Sequence, residues 1–347
     1  MVKKYLCIGA LAIAMLLQSA AVSCAENTTL NSHEISSSVD STSPSDTDHQ
    51  DSKNQLTDEQ EQLQKDQEQL KKEQEQLKKA QEQLKKEQVQ LKSEQEKLKK
   101  NQEKLKKEQN KSYLQNKQKK LNTEINSSTY LRYLKDLGYY KKIYKNDEKL
   151  NVRITLLLFQ SNHNMGVTGN WDQPTKEMLI NRLLSTEFTY LDTVKKAPSN
   201  GKWIVINKTN RTLTLYEGSK AIKKYAVAVG NPASLTESGK FIITSKLIDP
   251  DWGGGGFSKP IKGGIPQNPL GSRWLGINRT DGSYGIHGTN SFYSIGTYAS
   301  HGCIRMQNYC VEELFPLVPM KADVWVGTQA ELKEWGITQT TFQIQEA

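Results

Sequence analysis

The sequence predicts a multidomain chain in which a mainly-β domain follows a small three-helix bundle and a long charged helix. Three observations predict this arrangement. Leucine recurs at every seventh position from Leu56 to Leu105, apolar residues recur at helical spacing between 128 and 190, and short apolar runs with alternating patterning follow residue 201. The 347 residues suffice for two or three domains.

The first 25 residues have the features of an export signal. Lys3 and Lys4 precede a short apolar run at 6–17, and small residues follow it. The run is shorter than the roughly 20 residues that a membrane span needs. Cleavage after Ala25 would release a soluble protein, whereas residues 21–24 resemble a lipobox that would make Cys24 a lipid-bearing N-terminus. Uncleaved retention as an anchor is the third alternative, and all three predict export to the cell envelope, periplasm or cell wall.

The charge and composition of the chain indicate which kinds of molecule it can bind. The formal net charge of +9 suits polyanionic surroundings, and the chain has no recognisable nucleic-acid-binding motif. We therefore expect an envelope protein that binds no nucleic acid and meets the membrane only through its signal or lipid. Residues 26–54 are rich in Ser, Thr, Asp and Asn and predict a disordered spacer.

A seven-residue repeat in residues 55–122 predicts a continuous charged helix. With leucine at position d, position a is glutamine from Gln60 to Gln102, position g is mostly acidic and position e is mostly lysine. This pattern pairs Glu73 with Lys78 of a parallel partner. Because only one residue per repeat is apolar, two alternatives remain open: a coiled-coil homodimer, or a single helix held by pairs four residues apart. Either form would act as a stalk.

Residues 128–190 predict a small helical domain. Helical spacing of apolar residues begins at Tyr130, a second periodic run covers 152–160, and Asp172 with Pro174 opens a third helix that ends at Leu184. The residues Phe159-Gln160, 166–169 and 172–175 make this segment similar to the peptidoglycan-binding domain found beside cell-wall enzymes. A helical spacer without glycan binding is the alternative.

Residues 201–328 predict the mainly-β domain, and 329–347 form a C-terminal tail. Strands are expected at 203–206, 212–216, 224–229 and 241–246, with turns at 207–210 and 217–218. Gly253 to Gly256 predict a mobile flap over a substrate. We expect Cys310 to be buried on a helix at 309–314, and His163 to be solvated.

One stretch of the β domain places a thiol close to two histidines. Cys303 follows His301 by two residues and His287 by sixteen, with Gly288 and Gly302 beside them. A thiol is a poor nucleophile until it loses its proton, and a neighbouring imidazole is the usual base. Glycines let backbone N–H groups approach a bound carbonyl. The pattern predicts a Cys–His acyl-transfer site, which needs no cofactor.

A zinc site is the alternative use of the same side chains. His287, His301 and Cys303 could ligate zinc, but a structural zinc site has four ligands and no fourth candidate stands out. We therefore predict no metal.

The region 202–327 resembles the catalytic domain of L,D-transpeptidases, also called the YkuD domain. The matching pieces are 212–216, 229–230, 236–241, 268–271, 284–289 and 300–305. The sequence departs from the family pattern at Glu237, where proline is usual, and at 319–323, where a glycine turn is usual.

The resemblance implies a role for each residue of the site. Cys303 is the nucleophile, His287 is the base, and the carbonyl of Gly288 holds the imidazole in the right tautomer. His301 supports the thiol or the oxyanion, and the N–H groups of Gly302 and Cys303 are the oxyanion donors. Substrate-binding residues are expected at Arg305, Thr289, Asn290 and Tyr284, with Arg305 either holding a substrate carboxylate or bracing the loop.

The resemblance also implies the reaction and the partners. Cys303 would attack a tetrapeptide stem of peptidoglycan at the L-centre of diaminopimelate, release D-alanine and pass the acyl group to the amine of a neighbouring stem. The product is a cross-link between two diaminopimelate residues. Water as the acceptor would make the protein an L,D-carboxypeptidase, and a non-catalytic wall-binding scaffold is a further alternative. The family implies acylation of Cys303 by carbapenems.

Overall fold

The structure is a computed structural model. It describes residues 48–199, 201–256, 258–279 and 284–343, with side chains from residue 57 onward. The predicted export signal, the predicted lipid site at Cys24 and most of the predicted spacer lie outside these residues. Within the described ranges, no helix has both the length and the apolar character that crossing a membrane requires.

The described residues form six α-helices and twelve β-strands. The helices are α1 (Asp48–Glu124), α2 (Tyr130–Asp136), α3 (Glu148–Asn162), α4 (Gln173–Leu184), α5 (Asn308–Leu314) and α6 (Gln329–Glu334). The strands are β1 (Asp192–Val194), β2 (Lys202–Asn207), β3 (Thr212–Glu217), β4 (Lys220–Ala226), β5 (Val229–Gly230), β6 (Gly239–Ile248), β7 (Arg273–Ile277), β8 (Gly285–His287), β9 (Tyr298–Ser300), β10 (Ile304–Arg305), β11 (Asp323–Gly327) and β12 (Ile337–Gln339).

The long charged helix is α1, which has 77 residues. It begins at Asp48, inside the predicted spacer, because no glycine or proline interrupts the chain between 48 and 54. The chain divides into two compact units between Gln95 and Glu96.

Helices α2, α3 and α4 appear where the periodicity predicts helices. The carboxylate of Asp172 caps α4 by accepting from the N–H of Thr175 at 2.9 Å, and that of Asp147 caps α3 by accepting from Leu150 at 2.9 Å. Their apolar faces share a core with the end of α1, formed by Leu121, Ile125, Leu134, Leu156, Phe159, Met178, Leu179, Ile180 and Leu184.

Eight strands form the main sheet, in the order β10-β8-β7-β6-β11-β2-β3-β4. The pairs β8–β10 and β2–β11 are parallel, and the other neighbours are antiparallel. β2 and β3 are buried on both faces, which explains the nearly continuous apolar run at Trp203–Ile206. One face packs on α5, and the other is covered by Trp325 and by the C-terminal residues Leu332 and Ile337.

The helical region is joined to the sheet by a continuous interface. Leu157 and Val167 pack with Ala226, Ala228 and Ile295 of the β domain. The guanidinium of Arg153 donates to the carbonyls of Thr168 and Ile295 at 2.7 Å each. Arg211 donates to the carbonyls of Val167 at 2.8 Å and Gly296 at 2.9 Å. These bonds fix α3 against strand β4 and the loop that follows β8.

The C-terminal tail is part of the fold. It forms α6, and β12 pairs with β1 in antiparallel register. Gln339 of β12 donates to the hydroxyls of Thr214 and Tyr216 at 2.9 and 3.1 Å. Next to it, the fully buried Lys224 pairs with Asp192 at 2.5 Å. Because a buried charge needs an opposite charge, this pair ties β1 to the main sheet.

The expectation that His163 is solvated is wrong. Its side chain is 1% exposed and lies among the rings of Phe159, Phe188 and Phe342. Burial lowers the pKa of His163 to about 4, so the imidazole is neutral at pH 7. Nδ1 then donates to the carbonyl of Phe159 at 2.7 Å. The histidine ends α3 inside an aromatic core.

Candidate active site

The register of β8 and β10 brings the predicted nucleophile and base together. These short parallel strands pair Ile286 with Ile304 and His287 with Arg305. Side chains alternate along a strand, and both isoleucines are fully buried in the core. His287 and Arg305 therefore point to the opposite face. Cys303 lies two residues before Arg305, and it opens onto the same cleft as both.

A row of four side chains extends this face across four strands. Leu247 of β6 pairs with Trp274 of β7, which pairs with His287, which pairs with Arg305. All four line the cleft. The indole of Trp274 stacks on the imidazole of His287, with the ring centroids 5.7 Å apart and the planes 22° apart. The indole thus restricts rotation of the base.

The imidazole of His287 is held in one tautomer. Its Nδ1 lies 2.6 Å from the carbonyl oxygen of Gly288. A carbonyl can only accept, so Nδ1 carries the hydrogen and Nε2 carries the lone pair. The pKa of His287 is lowered to about 4, because burial and the charge of Arg305 together outweigh the opposing effect of the carbonyls of Gly288 and Leu270. The side chain is therefore neutral at pH 7 and can accept a proton.

The turn after His287 requires a glycine because two segments meet there. A Cβ on Gly288 would lie 2.2 Å from Oδ1 of Asn308 and 3.1 Å from the amide nitrogen of Ser272. The same Oδ1 accepts from the N–H of Thr289 at 2.9 Å. Asn308 therefore holds the peptide whose carbonyl orients the base.

Gly302, directly before the nucleophile, requires glycine for both conformation and space. Its φ is +114°, which other residues rarely adopt, and a Cβ would lie 2.8 Å from the ring of Tyr284. Its N–H donates to Oγ of Ser300 at 3.2 Å, and that hydroxyl donates to the carbonyl of Cys303 at 2.5 Å. The predicted oxyanion donor at Gly302 is thus engaged within its own loop, by a long bond.

A buried threonine holds the other side of this loop. Thr236 is 3% exposed, and its hydroxyl donates to the carbonyl of Gly302 at 2.7 Å while accepting from the N–H of Gly230 at 2.8 Å. Lys208 in turn donates to the carbonyl of Thr236 at 3.0 Å. The backbone beside the nucleophile is therefore anchored to the core of the β domain.

The cleft has a volume of about 890 Å³. Cys303, His287, His301 and Arg305 line it, and so do Gly253, Gly255 and Gly256 of the predicted flap. Asn268 holds the two ends of this flap together, because its amide donates to the carbonyls of Pro250 at 2.8 Å and Lys262 at 3.0 Å. Backbone bonds between Trp252 and Ile261, both 2.8 Å, close it into a narrow loop.

Three predicted substrate-binding residues lie outside the lining of the cleft. Thr289 is fully buried, and its hydroxyl accepts from the N–H of Ser291 at 3.0 Å. Tyr284 is 3% exposed, and its hydroxyl accepts from the N–H of Glu237 at 2.7 Å. Asn290 donates to the carbonyl of Gln267 at 2.8 Å. These side chains shape the loops around the site, because their polar atoms are already bonded to backbone.

Arg305 does line the cleft, and its charge is not neutralised by the fold. No carboxylate among the described residues lies within ion-pair distance of its guanidinium. Burial lowers the pKa of Arg305 while the Cys303 thiol opposes that shift. A half-buried cation beside the nucleophile attracts an anion from solution or substrate.

The second cysteine of the β domain is confirmed as a buried residue on a helix. Cys310 is 3% exposed on α5, and burial raises the pKa of its thiol to about 12. Neither Cys303 nor Cys310 is part of a disulfide. In the described ranges, no three His, Cys, Asp or Glu side chains are grouped in a way that could hold a metal ion.

Several residues of the site were missed by sequence reasoning. Leu247, Trp252 and Trp274 line the cleft, while Thr236 and Asn308 support its loops. Trp274 lies on β7, a strand that the sequence analysis did not predict. A strand prediction there would have indicated, from the alternation of side chains, the face of the sheet on which Trp274 lies. Nothing in the local sequence indicates that Thr236 or Asn308 contacts a segment far away in the chain.

Comparisons with known proteins match the β domain to one family. The family model for YkuD, described as the L,D-transpeptidase catalytic domain, matches residues 201–326. YqjB of Bacillus subtilis, named as an L,D-transpeptidase, is 40% identical over 127 residues, which are 36% of this chain and 70% of YqjB. The chain belongs to the L,D-transpeptidase family. The resemblance inferred from the motifs is thereby confirmed for the β domain.

Two further L,D-transpeptidases are similar to parts of the chain. YkuD of Bacillus licheniformis is 39% identical over 116 residues, 33% of this chain and 59% of that protein. This chain thus spans less than two thirds of that relative. The crystal structure of an L,D-transpeptidase from Stackebrandtia nassauensis aligns with 57% of this chain and 88% of that one, at 19% identity and a TM-score of 0.35.

Proposed function

We propose that this protein is an exported L,D-transpeptidase that cross-links diaminopimelate residues of peptidoglycan through a thioester on Cys303. One observation carries the proposal. Cys303, neutral His287 and the cation of Arg305 open onto one cleft of about 890 Å³, with Nδ1 of His287 held by the Gly288 carbonyl. Such a site offers a nucleophile, a base and an anchor for an anionic peptide.

The first half of the reaction forms the thioester. Nε2 of His287 takes the thiol proton, and the sulfur of Cys303 attacks the carbonyl carbon at the L-centre of diaminopimelate in a tetrapeptide stem. The carbon–nitrogen bond to D-alanine then breaks. The imidazolium gives its proton to the departing amine, as a general acid. Burial favours this return of the proton, because it disfavours the charged imidazole.

The second half transfers the acyl group to a second stem. The side-chain amine of its diaminopimelate attacks the thioester, His287 removes the amine proton, and the carbon–sulfur bond breaks. The sulfur leaves as a thiolate, which recovers the proton from His287. The apolar walls Leu247, Trp252 and Trp274 would limit water at the acyl carbon. This lining favours an amine acceptor over water.

Stabilisation of the tetrahedral intermediates requires a donor beside the sulfur. For the predicted N–H of Gly302 to serve, it must exchange its 3.2 Å bond to Ser300 for one to the oxyanion. A bond of this length is weak, and an N–H bond to an anion is shorter and stronger. We therefore assign the N–H of Gly302 as an oxyanion donor that forms this bond only when substrate is bound. His301, which lines the cleft, is assigned to support the thiol or the oxyanion.

Arg305 is assigned the carboxylate of the stem peptide. Of the two predicted roles, bracing the loop would require a partner within the fold, and none of the described carboxylates is in reach. A guanidinium binds a carboxylate through two parallel hydrogen bonds. This contact would place the scissile carbonyl relative to Cys303.

We assign the remaining parts of the chain to delivering the catalytic domain to the envelope and binding it to the cell wall. The export signal delivers the chain to the envelope, and α1 supplies a stalk in the form of a coiled coil. The helical region 128–190 is assigned to glycan binding. Its support is a groove of about 570 Å³ beside the stacked rings of Tyr130 and Trp171, whose centroids are 4.2 Å apart. Aromatic rings with Lys149 and Asn170 nearby suit a polar sugar polymer.

The test incubates purified protein with disaccharide tetrapeptide that contains diaminopimelate. We expect release of D-alanine and a new cross-linked dimer by mass spectrometry. Cys303→Ala should abolish both products, whereas the matched variant Cys310→Ala should retain both. A carbapenem should add its mass to the wild type and to Cys310→Ala only.

Each alternative has its own outcome in the same test. D-alanine release with a tripeptide product and no dimer would identify a carboxypeptidase and overturn the assignment of the acceptor. Unchanged stems together with retained binding to sacculi would identify a scaffold. The masses of the products distinguish both alternatives from a transpeptidase.

A further inference from the structure

Helix α1 carries a leucine stripe that is covered by nothing in the described chain. Its leucines at position d are between 56% and 62% exposed: Leu63, Leu70, Leu77, Leu84, Leu91, Leu98 and Leu105. Regularly spaced apolar side chains on an otherwise charged helix indicate an interaction surface, because isolated helices gain nothing from them. The spacing of seven keeps the stripe on one side of a helix only if the helix supercoils around a partner.

Two ion pairs within α1 lie away from this stripe, whereas a third joins Lys104 to Glu108, an acid at position g. Lys72 pairs with Glu68 at 4.0 Å, and Lys79 pairs with Glu75 at 3.2 Å. With leucine at d, these residues occupy positions f and b, on the far side of the helix. These four outer charges are therefore paired within a single helix.

Three acids and three lysines that flank the stripe form no ion pair with any described residue. At position g, Asp66, Glu73 and Glu87 accept only from glutamines four residues earlier, at 3.0, 3.4 and 3.3 Å. At position e, none of the lysines 71, 78 and 92 forms an ion pair with a described residue. Residues five apart point in different directions on one helix, so these acids and lysines cannot meet within one chain.

We propose that α1 pairs with α1 of a second copy of this chain as a parallel, in-register, two-stranded coiled coil. In that arrangement each g residue meets the e residue five positions later on the partner helix. Asp66 then faces Lys71, Glu73 faces Lys78, and Glu87 faces Lys92. The leucines meet leucines, and glutamines face each other at position a, where their amides can exchange hydrogen bonds.

The same charges exclude the antiparallel arrangement. There, g faces g and e faces e, which would set acid against acid and lysine against lysine along both flanks of the stripe. This repulsion between like charges disfavours the antiparallel pair and so selects the parallel orientation. In the parallel pair, both catalytic domains follow the same end of the coiled coil.

Charge reversal tests the pairing. A variant with Lys71→Glu, Lys78→Glu and Lys92→Glu has acids on both flanks, and we expect its mass by analytical ultracentrifugation to fall from two chains to one. A variant with Asp66→Lys, Glu73→Lys and Glu87→Lys should also be a monomer. Mixing the two variants should restore a dimer that contains one chain of each kind.

A matched control reverses lysines on the far side of the helix. Lys72→Glu, Lys79→Glu and Lys86→Glu change the net charge by the same amount and break two intrahelical ion pairs. This variant should remain a dimer. If it dissociates as readily as the e-position variant, net charge controls association and the proposed pairing is overturned. A wild-type chain with the mass of one copy overturns it as well.

The orientation of the two helices is measured by disulfide formation in a background in which Cys7, Cys24, Cys303 and Cys310 are all replaced by alanine. Gln74→Cys at position a should cross-link to its own counterpart in the partner chain, whereas Gln76→Cys at position c should not. Equal cross-linking at both positions would contradict a parallel, in-register pair. The outcome is independent of the proposed transpeptidase chemistry, since these chains lack the nucleophile.

Discussion

At the scale of single residues, the hydroxyl of Thr236 connects the core of the β domain to the backbone beside Cys303. It donates to the carbonyl of Gly302 and accepts from the N–H of Gly230. Thr236→Val keeps the shape but removes both bonds, so we expect kcat to fall about 10- to 100-fold with little change in KM. The free energy of unfolding should fall by about 1–3 kcal/mol, because two buried backbone groups lose their partner. Steady-state kinetics and denaturant unfolding measure the two effects.

A control separates positioning from stability. Thr155 is fully buried on α3, and its hydroxyl donates to the carbonyl of Asn151 at 2.8 Å. Thr155→Val should cost stability but leave kcat unchanged, and Thr236→Ser should restore both quantities. Equal loss of kcat in the two valine variants would show that Thr236 acts through stability alone.

Arg305 couples substrate binding to the charge state of His287. His287 accepts a proton only when it is neutral, so kcat/KM should fall as the pH falls through its pKa of about 4. The nearby cation disfavours the imidazolium. Arg305→Ala should therefore raise the pKa of His287 and move the acidic limb of the pH profile to higher pH. Loss of the carboxylate contact should also lower kcat/KM at pH 7 by about 10- to 100-fold.

Arg305→Lys is the matched control for this prediction. It keeps the positive charge, so the acidic limb should stay near pH 4, whereas kcat/KM should still fall because an ammonium cannot bind a carboxylate in the same planar way. An acidic limb that remains in place in Arg305→Ala would contradict the coupling.

At the scale of elements, the C-terminal segment joins the helical region to the sheet. β12 pairs with β1, and Phe342 lies 6% exposed in the core that α3 and α4 share with the end of α1. Phe342→Ala removes a buried ring, so we expect the free energy of unfolding to fall by about 3–5 kcal/mol. Chemical denaturation followed by tryptophan fluorescence measures the change.

The neighbouring residue provides the comparison. Gln343 is exposed, and Gln343→Ala should leave the free energy of unfolding within about 0.5 kcal/mol of the wild type. If the two variants unfold alike, the tail contributes nothing to the core, and its assignment as part of the fold fails.

Elements whose signals are local agree with the sequence prediction. The third helix was expected to open at Asp172 and Pro174 and to end at Leu184, and α4 spans Gln173–Leu184 with Asp172 as its cap. A cap and a periodic face lie within one short segment, which is why they can be read from it. Strand β7 was missed because its glycine and arginine break the alternation, and its partners β6 and β8 hold it in the sheet.

At the scale of the whole molecule, the residues from 96 onward form one compact unit. The sequence suggested separate helical and β domains, because their periodicities differ and a polar stretch lies between them. The interface made by Leu157, Val167 and Ile295, with bonds from Arg153 and Arg211, joins them. Such an interface is invisible in the sequence, since its members are far apart and each is an ordinary core or surface residue locally.

The sequence by itself determined the family and the heptad pattern of α1, and it predicted Cys303 and His287 as the reacting pair with a glycine beside each. These features depend on residue types at short spacing, where chain geometry alone sets what can meet. The tertiary structure decided that Trp274 and Arg305 flank the base and that Thr236 and Asn308 hold its loops. It also decided that Thr289 and Tyr284 support the site from inside the fold. Those contacts depend on strand register between distant segments, and register is decided by packing of the whole sheet.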